Sequence, residues 1–193
     1  MLNRLPPLKE SPSQTAGPYV HIGLTPSLEG ITGPNVPDLG SGPIAAGQGP
    51  RITIAGTIRD GVGAPVADAV VELWQADADG VYRQGWGRVA CDSAGAFVFD
   101  TVKPGRVAGP DGSLMAPHVS LWIVARGINV GLQTRLYFDD EADANAADFV
   151  LTRIVDPRRR QTLIAAKSVV DGRARYDLAI RLQGEGETVF FDF

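Results

Sequence analysis

Apolar and polar residues alternate in short bursts along most of this chain, with a period of two rather than 3.6. From Arg51 onward, Ile52, Ile54 and Ile58 fall on one face of an alternating run, which predicts a strand with one buried side. Asp60-Gly61-Val62-Gly63 then supplies a tight connection. Val70-Val71-Glu72-Leu73-Trp74-Gln75 repeats the signal and is closed by Asp77-Ala78-Asp79-Gly80, and Phe97-Val98-Phe99 follows a turn at Asp92 to Gly95. The run from His118 to Ala125 is the most strand-like in the chain, and Leu132 to Phe138 forms another after a bend at Gly127 to Gly131. A last strand is predicted over Ala174 to Leu182, behind the turn at Asp171-Gly172. Strands recur at the spacing of a sandwich, so the expected class is all-β.

Three stretches break the pattern. Residues 1–50 carry no strong period, and Thr25 to Pro50 is dominated by Gly, Pro, Ser and Asn, which reads as an arm followed by a long loop. Residues 51–193 then form the core of a single domain. Asp139 to Asp148 is acidic and Ala-rich, while Pro157 to Lys167 opens on proline and sets Leu163 and Ile164 on one face, so short accessory helices are expected there. The tail ends Thr-Val-Phe-Phe-Asp-Phe, and its three aromatics need cover, either from the chain's own loops or from a partner subunit.

Composition sharpens this picture. With 193 residues, 44% of them hydrophobic, the chain can bury one sizeable core. Its 23 glycines and 14 prolines suit short strands joined by many turns. A net charge of −4 spread over scattered acids leaves no footprint for nucleic acid. There is no run of 18 apolar residues, and the opening MLNRLPPLKESPSQT lacks the apolar stretch of a secretory signal, so a cytoplasmic protein is expected. Cys91 stands alone, which rules out an internal disulfide and predicts a small, half-buried, unreactive thiol. Neither a glycine-rich phosphate cradle nor a nucleophile elbow is present, so phosphoryl transfer and serine hydrolysis fall away.

One segment is long enough to carry a family resemblance. Gly56-Thr57-Ile58-Arg59-Asp60, with Ala69-Val70-Val71-Glu72-Leu73-Trp74-Gln75-Ala76-Asp77-Ala78-Asp79-Gly80-Val81-Tyr82, is similar to the hallmark segment of the intradiol ring-cleaving dioxygenases. Further matches follow at Thr101 to Gly105, Ala116 to Ser120, Thr134 to Asp140 and the tail Gly184 to Phe193, so the resemblance spans nearly the whole chain. The opening Ser11 to Leu24, together with that tail, resembles the alpha-type chains of the two-subunit members that cleave protocatechuate.

The resemblance implies a β-sandwich with long loops and short accessory helices. It further implies Fe(III) held by two tyrosines and two histidines of a partner beta chain, in a hetero-oligomer of alpha-beta units. The reaction it implies is cleavage of a catechol by O2 between its hydroxyls, yielding 3-carboxymuconate in aromatic catabolism. Phenolate and imidazole suit ferric iron. This chain departs from that ligand set. Where iron-bearing relatives read His-x-His, alternate residues on one strand face, it reads His118-Val119-Ser120. Val107 stands where a tyrosine is expected after Lys103-Pro104-Gly105, and the stretch from Arg83 to Cys91 has no tyrosine.

The expectation is therefore an enzyme subunit with no metal ligand and no catalytic residue of its own. By resemblance it contributes Arg135, Thr15, Gly17, Pro18 and Tyr19 to a substrate pocket shared with the beta chain, the Arg135 guanidinium engaging the substrate carboxylate. His118 is expected as a hydrogen-bonded interior histidine and His21 as structural. Trp74, Trp86 and Trp122 are expected in the core or at an interface. Two alternatives stay open: a self-sufficient catechol or hydroxyquinol dioxygenase that builds a replacement site with His21 and an unaligned tyrosine, and a non-catalytic, transthyretin-like binding module.

Overall fold

The computed structural model describes residues 9, 12, 14–17, 19–34, 42–45, 49–110 and 112–192. Two β-layers face each other, and among the described residues they are one folded sheet of nine strands. The first layer runs β1 (Gly42–Ala45), β4 (Gly85–Ala90), β3 (Val70–Gln75), β8 (His118–Val124), β9 (Leu132–Phe138). The second runs β11 (Arg173–Arg181), β2 (Arg51–Arg59), β5 (Ala96–Val102). Between them, β10 (Ile164–Val170) passes from layer to layer: Ile164 and Ala165 pair in parallel with Tyr137 and Phe138, and Ala166 to Val170 pair with β11. The two ends of the order, β1 and β5, come back into contact, so the sheet nearly closes on itself. A small ribbon of β6 (Val107–Ala108) and β7 (Leu114–Met115) stands apart.

Period-two patterning explains the core. Ile52, Ile54 and Ile58 of β2 point between the layers, where they join Phe97, Phe99, Tyr176, Leu178 and Ile180 of the second layer. Against them pack Val71, Leu73, Val119, Leu121, Ile123 and Leu136 of the first. Burying such side chains supplies the main driving force for the fold. The hairpin joining β10 to β11 turns on Asp171 (φ +50) and Gly172 (φ +77). Positive φ at both central residues matches the twist of the strands, which is why Asp-Gly occupies the turn.

The structure corrects the sequence reading in three places. Helix α3 (Pro157–Gln161) starts as expected, with the Asp156 carboxylate accepting from the Arg158 amide at 2.8 Å and Pro157 in the first turn. It ends at Gln161 rather than continuing towards Lys167. Leu163 is swallowed by a second apolar cluster with Ala116, Tyr137 and Leu151, and Ile164 opens β10. Part of the stretch read as loop contributes β1, and Gly85–Ala90 is a strand that the pattern did not announce. The acidic stretch folds as expected into a 3-10 turn, Asp139–Glu141, and helix α2 (Ala142–Ala146). The tail packs on its own chain: the Phe191 amide donates to Gln133 O at 2.8 Å, Thr134 Oγ1 donates to Val189 O at 2.7 Å, and Phe190 packs against the main core.

Candidate functional site

Strand alternation builds the site on the outer face of the first layer. While Val119, Leu121 and Ile123 of β8 point inward, His118, Ser120 and Trp122 point outward. On β9 the outward residues are Gln133, Arg135 and Tyr137. Ser120 lies opposite Arg135 on one side and Trp74 of β3 on the other, and His118 lies opposite Tyr137 with ring centroids 5.6 Å apart. The Tyr82 ring stacks on Trp74 at 5.7 Å.

Hydrogen bonds then fix each group. His118 is buried, and its Nδ1 lies 2.8 Å from Ala116 O. A carbonyl only accepts, so Nδ1 carries the proton and Nε2 is bare. Burial, and next the Arg135 charge, depress the imidazolium to about 4. The Tyr137 hydroxyl donates to Asp148 Oδ1 at 3.1 Å and accepts from Arg135 Nη1 at 3.2 Å. Burial raises this phenol well above its ordinary range, with the nearby Arg135 cation opposing. Burial likewise raises Tyr82, again against the pull of Arg135. Asp148 is fully buried and accepts from the Ala116, Val150 and Leu151 amides at 2.8, 2.9 and 3.0 Å. Arg135 Nη1 also reaches Met115 Sδ at 3.7 Å, while its Nε is buried without a hydrogen-bond partner among the described residues.

These residues do not fit a ferric ion. The face offers one imidazole, beside the hydroxyl of Ser120 and a guanidinium whose positive charge opposes a cation. Val107, at the expected tyrosine position, is buried with Ala76 and Met115. Among the described residues, no group of three His, Cys, Asp or Glu side chains could hold a metal.

Arg135 opens onto a cavity of 620 Å³, walled largely by apolar side chains including Met115, Phe149 and Phe191. The arm residues lie elsewhere. Thr15 Oγ1 accepts from the Gly127 amide at 2.8 Å, and Ala16 pairs with Arg126, its amide reaching Ile128 O at 3.2 Å. That is about 20 Å of extended chain from Ser120, the residue opposite Arg135. Within one chain, then, Thr15 and Gly17 are not brought to Arg135. Tyr19 is 74% exposed. Pro18 and the His21 side chain lie outside the described residues. Arg88 ties the arm to β4, donating to Leu24 O at 2.7 Å while it pairs with Glu72. Trp74, Trp86 and Trp122 are not in the core. With Glu72, Ser120 and Gln133 they line a groove of 460 Å³ on the outer face.

A family model described as Dioxygenase matches residues 38–184. The chain belongs to the intradiol dioxygenase family. Along almost its full length it is similar to the protocatechuate 3,4-dioxygenase alpha chain of Pseudomonas putida, at 48% identity over 96% of this chain and 98% of the relative. The corresponding alpha chain of Burkholderia cepacia is 40% identical over the same shares. In fold it resembles 3-chlorocatechol 1,2-dioxygenase of Rhodococcus opacus 1CP, with a TM-score of 0.61, 22% identity, and coverage of 78% of this chain and 68% of that one. The all-β sandwich is thus the intradiol dioxygenase fold, and the enzyme class follows from the family.

For an intradiol dioxygenase chain, the groups that sequence reasoning missed are those without a motif. Asp148 gathers donors from Ala116 and Tyr137, distant in the chain, so no local spacing announces it. Met115 and the segment carrying Phe149 face Arg135 only after β9 and the 149–154 turn have packed together.

Proposed function

We propose that this chain is the iron-free alpha subunit of a cytoplasmic two-subunit dioxygenase acting on protocatechuate. A beta subunit would supply the tyrosine and histidine ligands, and the ferric ion bound there would supply activation of the catecholate towards O2. The overall reaction breaks the ring bond between the two hydroxyl-bearing carbons and places both atoms of O2 in the product, 3-carboxy-cis,cis-muconate.

This chain's own part is to bind and orient. One observation carries the reading: a partly buried guanidinium, Arg135, with an unpartnered Nε, stands at an apolar cavity on the strand face where Ser120 lies opposite it. A benzoate-type carboxylate satisfies such a cation with charge-assisted hydrogen bonds, and the apolar wall takes the ring. Tyr137, held by Asp148, keeps the guanidinium in place. The arm residues Thr15, Gly17, Pro18 and Tyr19 act at the alpha-beta interface and complete the pocket through quaternary contacts. Residues 1–50 serve assembly in this scheme, and residues 51–193 form the sandwich.

Iron content and oxygen uptake with protocatechuate test it, for the chain alone and after co-expression with a beta chain. Iron and turnover are expected only in the complex; stoichiometric iron and turnover in the lone chain would overturn the proposal. In the complex, Arg135→Ala should raise KM for protocatechuate about tenfold or more, the worth of one hydrogen bond to a charged group, and leave KM for unsubstituted catechol nearly unchanged. Equal effects on both substrates would remove the carboxylate role.

A further inference from the structure

The cavity beside Arg135 holds a second cation. Arg153, at the end of the 3-10 turn Leu151–Arg153, lines the same 620 Å³ space from the opposite element. Its guanidinium carbon lies 3.8 Å from the centroid of the Phe149 ring. A guanidinium held over a ring face leaves its N–H donors available to engage an anion. Among the described residues Arg153 forms no ion pair, and Arg135 forms none either. Among the described residues Asp192 is the single carboxylate on the cavity wall, so two guanidiniums stand against one acid side chain.

One buried residue holds both cations. Asp148 Oδ1 accepts from the Tyr137 hydroxyl that in turn receives Arg135, and the same oxygen caps the amides of Val150 and Leu151, which start the turn carrying Arg153. A pair of cations held by a shared scaffold loses little freedom when an anion binds. A carboxylate has about four lone-pair sites and can accept from two guanidiniums at once.

We propose that Arg153 is a second specificity-determining residue for the aromatic carboxylate, so that this chain grips its substrate's acid group with two guanidiniums. The inference rests on the reading of Arg135 given above and extends it. Arg153 acts on binding and recognition, and the ring seats against Phe149 and Met115.

The test uses the assembled enzyme, alpha with beta, and three substitutions in this chain: Arg153→Ala, Arg153→Lys and Arg135→Ala. For Arg153→Ala, KM for protocatechuate should rise about tenfold with kcat within about twofold, as expected for loss of one hydrogen bond to a charged group. KM for catechol, which lacks the carboxylate, should stay within about twofold, and inhibition by benzoate should weaken in parallel with protocatechuate binding. Arg153→Lys should lie between wild type and Arg153→Ala, because lysine keeps the charge and loses the fork. Arg153 is exposed in this chain, so the variants should fold normally, and the beta-chain content of each purified variant is measured before its kinetics. An unchanged KM for protocatechuate in Arg153→Ala, alongside a raised one in Arg135→Ala, would overturn this inference and leave the Arg135 reading standing. Equal loss with protocatechuate and catechol would assign Arg153 a merely structural part and overturn it as well. No selective effect from Arg135→Ala would defeat the underlying reading itself.

Discussion

Replacing Asp148 by alanine should be among the most costly single changes outside the main core. Its carboxyl takes up the buried amides of Ala116 and Leu151, the half-buried amide of Val150 and the Tyr137 hydroxyl. Alanine removes the acceptor from all four. Val150 has access to water, so two amides and the Tyr137 hydroxyl, whose contact with Arg135 occupies its oxygen and not its proton, bear the loss. Each stranded buried donor costs about 2 kcal/mol, which gives about 6 kcal/mol in all. In a chain of this size that is a fall in Tm of roughly 12–24 °C. Asparagine keeps one oxygen for Val150 and Leu151 but turns an N–H towards the Ala116 amide, so Asp148→Asn should cost about half as much. Thermal unfolding of the assembled protein, followed by circular dichroism and calorimetry together, measures both. A fall of under about 3 °C for Asp148→Ala, or equal costs for the two variants, would refute the reasoning.

Three further outcomes are expected. Asp140 is pushed up by partial burial but held down, to about 2, by bonds from Lys167, Lys103 and Tyr176. Its folded value is depressed, so its contribution is present above pH 4 and lost as pH falls from about 4 to 2; Asp140→Asn should flatten the acid limb of the stability profile by about 1 kcal/mol, allowing for solvent screening, as acid titration of unfolding would register. Gly80→Ala should destabilise by about 3 kcal/mol or more, because residue 80 sits at φ +80 and a Cβ there would meet Arg106 O at 2.0 Å; urea unfolding checks this. Cys91 is buried, and burial followed by the Asp92 and Asp68 charges raises its thiol to about 12; a disulfide reagent at pH 8 should therefore leave the native protein unmodified and titrate one thiol after denaturation.

The strands that could be read in advance are those whose inward positions carry large apolar side chains. β2, β3, β5, β8 and β9 all do, and alternation alone located them. β4 hides because its inward positions include Gly85 and Gly87, which register as turn residues. Gly85 is demanded by a close approach, since a Cβ there would lie 2.2 Å from Gln75 O. The 157–167 region misled because Leu163 and Ile164 fit one helix face as well as they fit a buried residue followed by a strand; tertiary pairing with Tyr137 and Phe138 decides it. Arg135 is singled out by family resemblance and not by any local pattern. Asp148 and Arg153 were not legible at all, because their partners come from remote segments and an isolated Asp or Arg in a loop looks like ordinary surface. The arm was legible as an arm, but its path along residues 126–128 depends on the Thr15–Gly127 hydrogen bond, which no spacing encodes.

The parallel pairing of β2 with β11, from Ile52–Ala174 through Arg59–Arg181, has a consequence for how the protein is made. β2 leaves the ribosome early, yet the neighbour that covers one of its edges is nearly the last segment synthesised. Until β11 arrives, the second layer lacks the strand that joins β2 to β10, and Ile52, Ile54 and Ile58 lack the cover of Tyr176, Leu178 and Ile180. A sheet closed by so distant a pairing carries a high loop-closure cost and folds slowly. Meanwhile the open edge of β2 is available to any other strand. Nascent chains should therefore depend on chaperones until release, and truncation before Arg173 should give aggregate rather than a smaller folded core.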